Sequence, residues 1–382
     1  MRCCAKWKSP SAQGSAITGA LHGTKSASES WTSCSCADAD ASITVTSEPQ
    51  QVSGDQNTVP DEPRTVPHHE WPSAIFLMGP TASGKSKVAC DLVRALPCEL
   101  ISVDSAQVYR HMDIGTAKPD AATLRETPHH LIDIIEPDDT YSAARFREDA
   151  LTLMREICER GNIPLLVGGT MLYFRTLTEG LAELPAADAA VRMVIDTMAE
   201  KSGWPALHAQ LASVDPETAA RLQPGDAQRI QRALEVYYIT DKPMSALLKK
   251  PKYVHFPYMP VKVALVPAER AELHERIAER FELMLELGLI GELRSLRAQY
   301  ALDAAMPSMR CVGYRQVWDY LDGNIGLATL REKAIAATRQ LAKRQLTWLR
   351  SMQDVMEFDC LQSDVSDRVL AYLRTRLPQV KA

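Results

Sequence analysis

The sequence predicts an α/β fold in which a parallel sheet is flanked by helices and a helical insertion interrupts the chain. Short apolar runs recur along the sequence, and each is followed by a helical pattern, which is the alternation typical of parallel sheets. After about residue 185 this alternation stops, and residues 186–258 are mostly helical by pattern before a strand returns at Val261. The 382 residues are enough for two folded units.

The first junction between a strand and a helix contains a phosphate-binding loop. The apolar run 75–78 leads into GPTASGKS at 79–86, which fits the pattern G-x-x-x-x-G-K-[ST]. Backbone N–H groups and a helix N-terminus attract an anion there, and the Lys85 side chain adds a full positive charge. The Ser86 hydroxyl is a candidate ligand for a phosphate-bound Mg²⁺. We therefore predict a P-loop NTPase-like core whose loop consists of Gly79, Pro80, Thr81, Ala82, Ser83, Gly84, Lys85 and Ser86.

Two further strand ends carry polar turns that we expect beside this loop. The run 99–103 ends in Asp104, and the run 163–167 is followed by Gly168, Gly169 and Thr170. In doubly wound sheets, ligands bind beyond the carboxyl ends of the strands. Asp104 could act as a general base, cap the following turn or hold Mg²⁺ through water, and its position does not decide among these roles. Thr170 could contact a ligand or cap the next helix.

Other segments offer candidate contacts with weaker support. The loop 112–119 makes Lys118 available for phosphate, and the apolar run 129–135 is expected to be a third strand with one of its two histidines buried and the other at the surface. The segment 309–316 is a compact basic and aromatic loop. The predicted helix 333–350 contains basic residues and no acid, which favours either a phosphodiester-binding surface or a solvated basic helix.

The composition is that of an ordinary globular chain and excludes several classes of protein. Hydrophobic residues make up 46% and charged residues 24%. No apolar run approaches the roughly 20 residues of a membrane span, so no membrane segment is expected. The nine cysteines form no evident disulfide framework, which favours a reducing cytoplasm. Because the net charge is −5, a nucleic-acid site would require basic residues clustered on one surface.

Residues 1–70 differ from the rest and are predicted to be a disordered N-terminal extension. They are rich in Ser, Ala and Thr, and such a segment buries too little apolar surface to offset its ordering entropy. The first 28 residues contain Arg2, Lys6, Lys8 and Lys25 but no acid, a composition that resembles a transit peptide. An unconserved tail, or a start codon placed too early, is at least as good an explanation.

Several motifs, taken together and in order, resemble the tRNA dimethylallyltransferase family. These isopentenyltransferases modify the adenosine 3′ to the anticodon. Besides the phosphate loop, the matching motifs are DSAQVYR at 104–110, MDIGTAKP at 112–119, HHLID at 129–133 and GGTMLY at 168–173. The match is extended by QRIQR at 228–232, CVGYRQ at 311–316 and TRQLAKRQ at 338–345. It covers roughly residues 74–350 and leaves residues 1–70 outside.

The resemblance implies a reaction and roles for individual residues. Dimethylallyl diphosphate and an adenosine of tRNA would give N6-isopentenyladenosine and diphosphate. The catalytic residues would be Lys85, which with Mg²⁺ on Ser86 holds the leaving diphosphate, Asp104, which accepts the proton of the adenine amine, and Thr170. The implied tRNA contacts are Asp104, Ser105, Ala106, Gln107, Thr170, Arg192, Gln228, Arg229, Ile230, Gln231, Arg232, Arg310, Cys311, Val312, Gly313, Tyr314 and Arg315.

The resemblance also divides the chain. Residues 71–185 would form the first part of the P-loop core, 186–258 a helical insertion domain that binds tRNA, and 259–382 the rest of the core with basic C-terminal helices. Eukaryotic relatives carry a C-terminal Cys/His zinc finger, and the sequence has no such pattern, which favours the bacterial type. We expect a cytoplasmic monomer that binds the anticodon stem-loop of tRNA.

Two other enzymatic functions are compatible with part of the sequence. In a P-loop small-molecule kinase, the helical insertion would be a lid that brings Arg192 or Arg229 to the phosphates. An isopentenyltransferase acting on free AMP would use the same loop without a basic surface for RNA. A non-catalytic RNA-binding module with a degenerate loop is disfavoured because Lys85 and Ser86 are both intact.

Overall fold

The computed structural model describes residues 71–249 and 255–377 of the chain. The predicted disordered extension at 1–70 lies outside the described residues. The described residues, 71–249 and 255–377, belong to one compact unit that is built around a six-stranded sheet. The strands are β1 Ser73–Met78, β2 Cys98–Val103, β3 His129–His130, β4 Ile163–Gly168, β5 Met259–Val266 and β6 Val355–Asp359.

Fourteen helices accompany the sheet in the described part of the chain. The first four are α1 Lys85–Ala95, α2 Ala121–Glu126, α3 Ala143–Glu159 and α4 Met171–Glu179. Between α4 and β5 lie α5 Ala189–Ser202, α6 Trp204–Val214, α7 Pro216–Arg221, α8 Ala227–Thr240 and α9 Met244–Leu248. The remaining helices are α10 Arg270–Glu286, α11 Leu289–Gln299, α12 Tyr314–Leu321, α13 Leu327–Arg350 and α14 Val365–Arg376.

The sheet is parallel throughout and has the order β3-β2-β4-β1-β5-β6. β1 lies near its centre, and its side chains alternate between two hydrophobic clusters, with Phe76 on one face and Leu77 on the other. A strand buried on both faces is expected to be a continuous apolar run, as β1 is. The predicted α/β fold, a P-loop-type parallel sheet flanked by helices, is therefore confirmed.

The strand order fixes where a ligand can bind. β1, β2 and β4 are neighbours, and all three end at the same edge of the sheet. The turns that follow these strands contain the phosphate loop, Asp104 and Thr170. Because strands in a sheet are roughly 4.8 Å apart, these turns must lie close together.

The helical insertion has a small hydrophobic core of its own. Helices α5 to α8 pack around Ile195, Leu211, Ile230 and Leu234, all fully buried. This arrangement suits the insertion expected at 186–258, of which residues 250–254 lie outside the described residues.

Two predicted elements differ from the structure. The run 129–135 forms a strand over His129–His130 alone, because Leu131 and Asp133 take left-handed backbone conformations with φ of 65° and 55° that end the strand. Both histidines are half-buried, so the expected contrast between them is wrong. The helix predicted at 333–350 begins earlier, at Leu327.

Candidate active site

A cavity of about 810 Å³ opens at the carboxyl edge of β1, β2 and β4. Its size is within the usual range for pockets that bind small molecules. Helices α10 and α13 and the loop before α12 complete its wall. The predicted residues that line it are Thr81, Ala82, Ser83, Gly84, Lys85, Ser86, Asp104, Ser105, Ala106, Gln107, Thr170, Arg310, Cys311, Val312 and Gly313.

The phosphate loop is held in the conformation that its sequence predicts. Gly84 precedes α1 with φ of 78°, and Gly79 packs so closely that a Cβ there would lie 2.8 Å from the Leu265 carbonyl oxygen. The Lys85 Nζ donates a hydrogen bond to the Pro80 carbonyl oxygen over 2.6 Å. Since the first turn of α1 contains no acid, its N-terminus presents an uncompensated positive end to the cavity.

Arg280 of α10 lies near this loop and was not predicted from the sequence. Burial, and after it the positive charge of Arg280, lower the pKa of Lys85 to about 8, whereas the negative charge of Asp104 acts in the opposite direction. Burial also lowers the pKa of Arg280, against the attraction of Asp104. Two cations with unfavourable solvation therefore lie in one cavity, an arrangement that an anionic ligand would relieve.

Asp104 follows the last residue of β2 and caps the turn there. Its Oδ1 accepts hydrogen bonds from the backbone N–H groups of Ala106, at 2.8 Å, and Gln107, at 3.3 Å. Both bonds reach the same oxygen, so Oδ2 keeps its capacity to accept a proton from a ligand. Capping and proton transfer are thus compatible roles for this carboxylate.

Thr170 joins the ends of β4 and β2. It occupies the N-cap position of α4, but its side chain makes no capping hydrogen bond. Its hydroxyl instead accepts from the backbone N–H of Ser105 at 3.1 Å. Gly168, the last residue of β4, must be a glycine for these two strand ends to approach, because a Cβ there would collide with the Val103 carbonyl.

Gln345 of α13 is a second residue at this site that sequence reasoning missed. Its side-chain Oε1 accepts from the Thr81 N–H at 2.8 Å, and its Nε2 donates to the Gly169 carbonyl oxygen at 2.9 Å. The stretch 338–345 is among the motifs that carry the resemblance. Helical spacing, however, does not distinguish Gln345 from Gln340, which is exposed on the same helix.

Lys118 is not available for phosphate, contrary to the prediction. Its side chain is 3% exposed and forms ion pairs with Asp113 at 2.6 Å and Asp133 at 2.5 Å. It also donates to the Tyr109 carbonyl oxygen at 2.9 Å. Through these contacts Lys118 fixes the conformation of the loop 115–119, whose other residues line the cavity.

The backbone of the same loop is fixed by a carboxylate from α11. Glu292 accepts from the N–H groups of Asp113, Ile114 and Gly115 over 2.8–3.2 Å. The hydroxyl of Tyr314 donates to the same carboxylate over 2.5 Å. The loop 113–115 thus binds an internal anion, and its amide groups are unavailable to a ligand.

The other residues predicted to contact tRNA are in two places. Arg310 is exposed at the mouth of the cavity, and Arg315 is exposed on α12 outside the lining. Gln228 and Arg229 are exposed on α8, where Arg229 pairs with Asp226 and Gln231 donates to Asp196. None of the insertion residues lines the cavity within the described part of the chain.

Four of these predicted contacts have partners or burial that the sequence does not reveal. The side chains of Ile230 and Tyr314 are fully buried, so they pack in the interior, and only their neighbours can meet RNA. Arg192 and Arg232 both pair with Glu235, a buried carboxylate of α8, at 2.9 and 2.6 Å. These two arginines therefore hold the insertion together in this structure.

The oxygen atoms at the loop suit a magnesium ion that is bound mainly by its ligand. The Ser86 hydroxyl is on an exposed residue, and it shares the cavity with the Asp104 carboxylate. In residues 71–249 and 255–377 no three His, Cys, Asp or Glu side chains cluster as metal ligands. Mg²⁺ commonly keeps several waters and takes one or two protein oxygens together with substrate phosphates, which matches this set of donors.

The described helices include none that is long and apolar enough to span a membrane.

The fold and the cavity define a P-loop-type protein whose phosphate-binding loop lies beside a carboxylate. Family models give the family: the model for IPP transferase matches residues 107–352, and that for isopentenyl transferase matches residues 72–141. The chain belongs to this family of IPP transferases. The predicted resemblance is therefore confirmed.

Individual relatives are similar over most of the chain. It is 62% identical over 303 residues to a tRNA dimethylallyltransferase of Nitrosospira multiformis, covering 79% of this chain and 94% of that protein. It is 57% identical over 310 residues to one of Nitrosomonas europaea, covering 81% and 98%.

Solved structures of similar proteins have the same fold. A tRNA isopentenylpyrophosphate transferase from Bacillus halodurans matches with a TM-score of 0.59 and 36% identity, over 81% of this chain and 97% of that chain. A eukaryotic dimethylallyltransferase acting on tRNA matches with a TM-score of 0.66 and 26% identity, over 80% and 79%.

Proposed function

We propose that this protein transfers the dimethylallyl group of dimethylallyl diphosphate to N6 of the adenosine 3′ to the anticodon. The acceptors are tRNAs that read codons starting with U, and the products are N6-isopentenyladenosine and diphosphate. One observation carries the proposal: an anion-binding loop with two cations lies in the same cavity as a carboxylate. A prenyl transfer of this kind needs both, one for the leaving group and one for the attacking amine.

The phosphate loop acts on the leaving group. As the bond between C1 of the dimethylallyl group and oxygen breaks, negative charge grows on the departing diphosphate. Lys85, Arg280 and the N-terminus of α1 lie where they stabilise that charge, and fixed donors of this kind are most effective in a cavity that excludes water. The residues that would hold Mg²⁺ are Ser86 and, through water, Asp104, and the bound ion would neutralise part of the diphosphate charge.

Asp104 acts on the nucleophile. The exocyclic amine of adenine is weakly nucleophilic, because its lone pair is delocalised into the ring. A carboxylate that accepts the amine proton as the new C–N bond forms lowers the barrier. Since Oδ1 is fixed by two backbone N–H groups, Oδ2 is the oxygen that takes the proton. Thr170 lies across the turn from Asp104 and contacts either the donor phosphate or the base.

The acceptor reaches the cavity from an RNA loop. Enzymes that act on a base generally take it out of the stack, and a single-stranded loop lowers that cost. Arg310 at the mouth of the cavity and the basic face of α13 suit the phosphates around such a base. We expect a single chain to be sufficient, because all these groups come from one chain, and we place the reaction in the cytoplasm with its tRNA substrates.

The proposal is tested by following two labels. The purified protein is incubated with tRNA and either dimethylallyl diphosphate labelled in the prenyl group or ATP labelled in the γ-phosphate. Label is expected in tRNA from the prenyl donor alone, and digestion should yield labelled N6-isopentenyladenosine. Transfer of γ-phosphate to any acceptor would favour the kinase, and prenylation of free AMP in preference to tRNA would favour the second alternative.

A further inference from the structure

Gln345 bridges two turns that the sheet brings together. It is 264 residues from Thr81 and 176 residues from Gly169 in sequence, yet it bonds to the backbone of both. One bond uses the amide as an acceptor and the other uses it as a donor. A primary amide is the neutral side-chain group that offers both functions from one planar head. Gln345 thus fastens the phosphate loop to the turn that carries Thr170.

The surrounding residues make room for this contact. A Cβ on Gly169 would collide with the Gln345 side-chain nitrogen, so glycine is needed there for the amide to approach. Ala82, which follows Thr81 in the phosphate loop, packs with Leu273, Ile277 and Ala342 of α10 and α13. Helices α10 and α13, which are distant in sequence, therefore support the loop through one polar and one apolar contact.

The loop needs such support because its backbone is strained. Ala82 has φ of 62°, a left-handed conformation that alanine rarely adopts. A loop with this strain relaxes unless its surroundings hold it. The hydrogen bond from the Thr81 N–H to Gln345 lies immediately before Ala82 and holds the backbone at this point. The amide groups that follow Ala82 then remain directed at the cavity.

We infer that Gln345 is a positioning residue for the reaction, which orders the phosphate loop from helix α13 through its bonds to the Thr81 and Gly169 backbone. The inference rests on the proposed function and adds a residue to its machinery. It predicts a specific pattern: binding of the prenyl donor depends on Gln345, whereas binding of tRNA does not. A residue that merely supported the fold would affect both substrates alike.

The test uses Gln345→Met, which keeps the length of the side chain and removes both hydrogen bonds. We expect the KM for dimethylallyl diphosphate to rise about tenfold, which corresponds to the free energy of one to two hydrogen bonds. The KM for tRNA should stay within about twofold. Gln299→Met, at an exposed position of α11 away from the cavity, is the matched control and should behave as the unmodified protein.

Gly169→Ala attacks the same contact from its other partner and should raise the donor KM similarly. Because Gln345→Met already removes the contact that Gly169→Ala disturbs, the double variant should be little worse than Gln345→Met alone. Equal rises in both KM values, an unchanged donor KM, or additive effects would overturn the inference. So would failure of both variants to fold, because the contact would then be structural. Lack of prenyl transfer by the unmodified protein would instead refute the proposed function.

Discussion

At the scale of single residues, we propose that Asp104 has both of two roles that sequence reasoning leaves open, capping and proton transfer. One carboxylate oxygen caps the turn after β2, and the other is left for chemistry. The amide of asparagine can still accept the two capping hydrogen bonds, but it cannot take a proton from the adenine amine. Capping and catalysis can therefore be separated by one substitution.

We expect Asp104→Asn to lower kcat by about 100-fold or more while leaving the affinity for tRNA nearly unchanged. Single-turnover rates with saturating donor and tRNA measure the first quantity, and filter binding of tRNA measures the second. Asp367→Asn, which alters an exposed carboxylate of α14 outside the cavity lining, is the control and should leave both quantities unchanged. An unchanged kcat for Asp104→Asn would show that Asp104 caps the turn and takes no part in proton transfer.

Lys85 gives the site a dependence on pH. Its pKa of about 8, lowered by burial and by Arg280, means that it loses its charge in the free protein as pH rises through 8. In the proposed function the diphosphate binds the charged form of Lys85, so donor affinity should fall above pH 8, approaching about tenfold per pH unit. Isothermal titration of dimethylallyl diphosphate in the absence of tRNA measures this without turnover.

The control for that titration is Lys85→Arg. A guanidinium keeps its charge over the whole range, so the affinity of this variant should be nearly independent of pH between about 7 and about 9.5. If the variant shows the same fall in affinity as the unmodified protein, a group other than Lys85 is responsible for the titration.

At the scale of elements, the sequence predicts what is encoded locally. The phosphate loop, the ends of β2 and β4 and the helical insertion all follow from contiguous patterns, and the structure contains each of them. Lys118 was misjudged because its partners Asp113 and Asp133 are supplied by turns with no periodic signature. Arg280 and Gln345 were missed because helix packing, and not spacing, directs them into the cavity.

The helical insertion is a second case in which the sequence does not reveal the partners of its charged side chains. The family resemblance implies that residues 228–232 contact RNA, yet Arg232 of this stretch and the distant Arg192 bind the buried Glu235. Burial by itself would raise the pKa of Glu235, but hydrogen bonds from both arginines outweigh it, and the pKa is lowered. Glu235 also accepts from the Asp188 N–H at 2.8 Å, and Arg232 donates to the Pro185 carbonyl oxygen, so the group joins α8 to the segment that enters the insertion.

We expect Glu235→Gln to reduce the free energy of unfolding by about 2 kcal/mol or more, because two arginines then lose their buried counter-charge. Denaturant titration gives this value, and limited proteolysis should cut the insertion faster. The control is Glu217→Gln in α7, which removes the exposed ion pair with Lys249 and should cost less than about 1 kcal/mol. Equal costs for the two variants would contradict the anchoring role of Glu235.

At the scale of the whole molecule, a net charge of −5 must be reconciled with an RNA substrate. The solution is local: α13 contains six basic residues and a single acid, Glu332. Arg339, Lys343 and Arg344 are exposed, and Arg344 also lines the cavity. The same helix presents basic side chains to solvent and Gln345 to the phosphate loop, so in the proposed function the surface for tRNA adjoins the loop for the donor.

Charge reversal on this helix should weaken tRNA binding through electrostatics. We expect Arg339→Glu combined with Lys343→Glu to lower tRNA affinity and to reduce the slope of log affinity against log salt by about one per lost phosphate contact. Donor affinity without tRNA should hardly change. The control is Arg374→Glu with Arg376→Glu on α14, which changes the net charge equally and lies outside the cavity lining. If both pairs reduce tRNA affinity alike, only the total charge matters. If neither does, the basic face of α13 is a solvated surface, and the free nucleotide becomes the acceptor to consider.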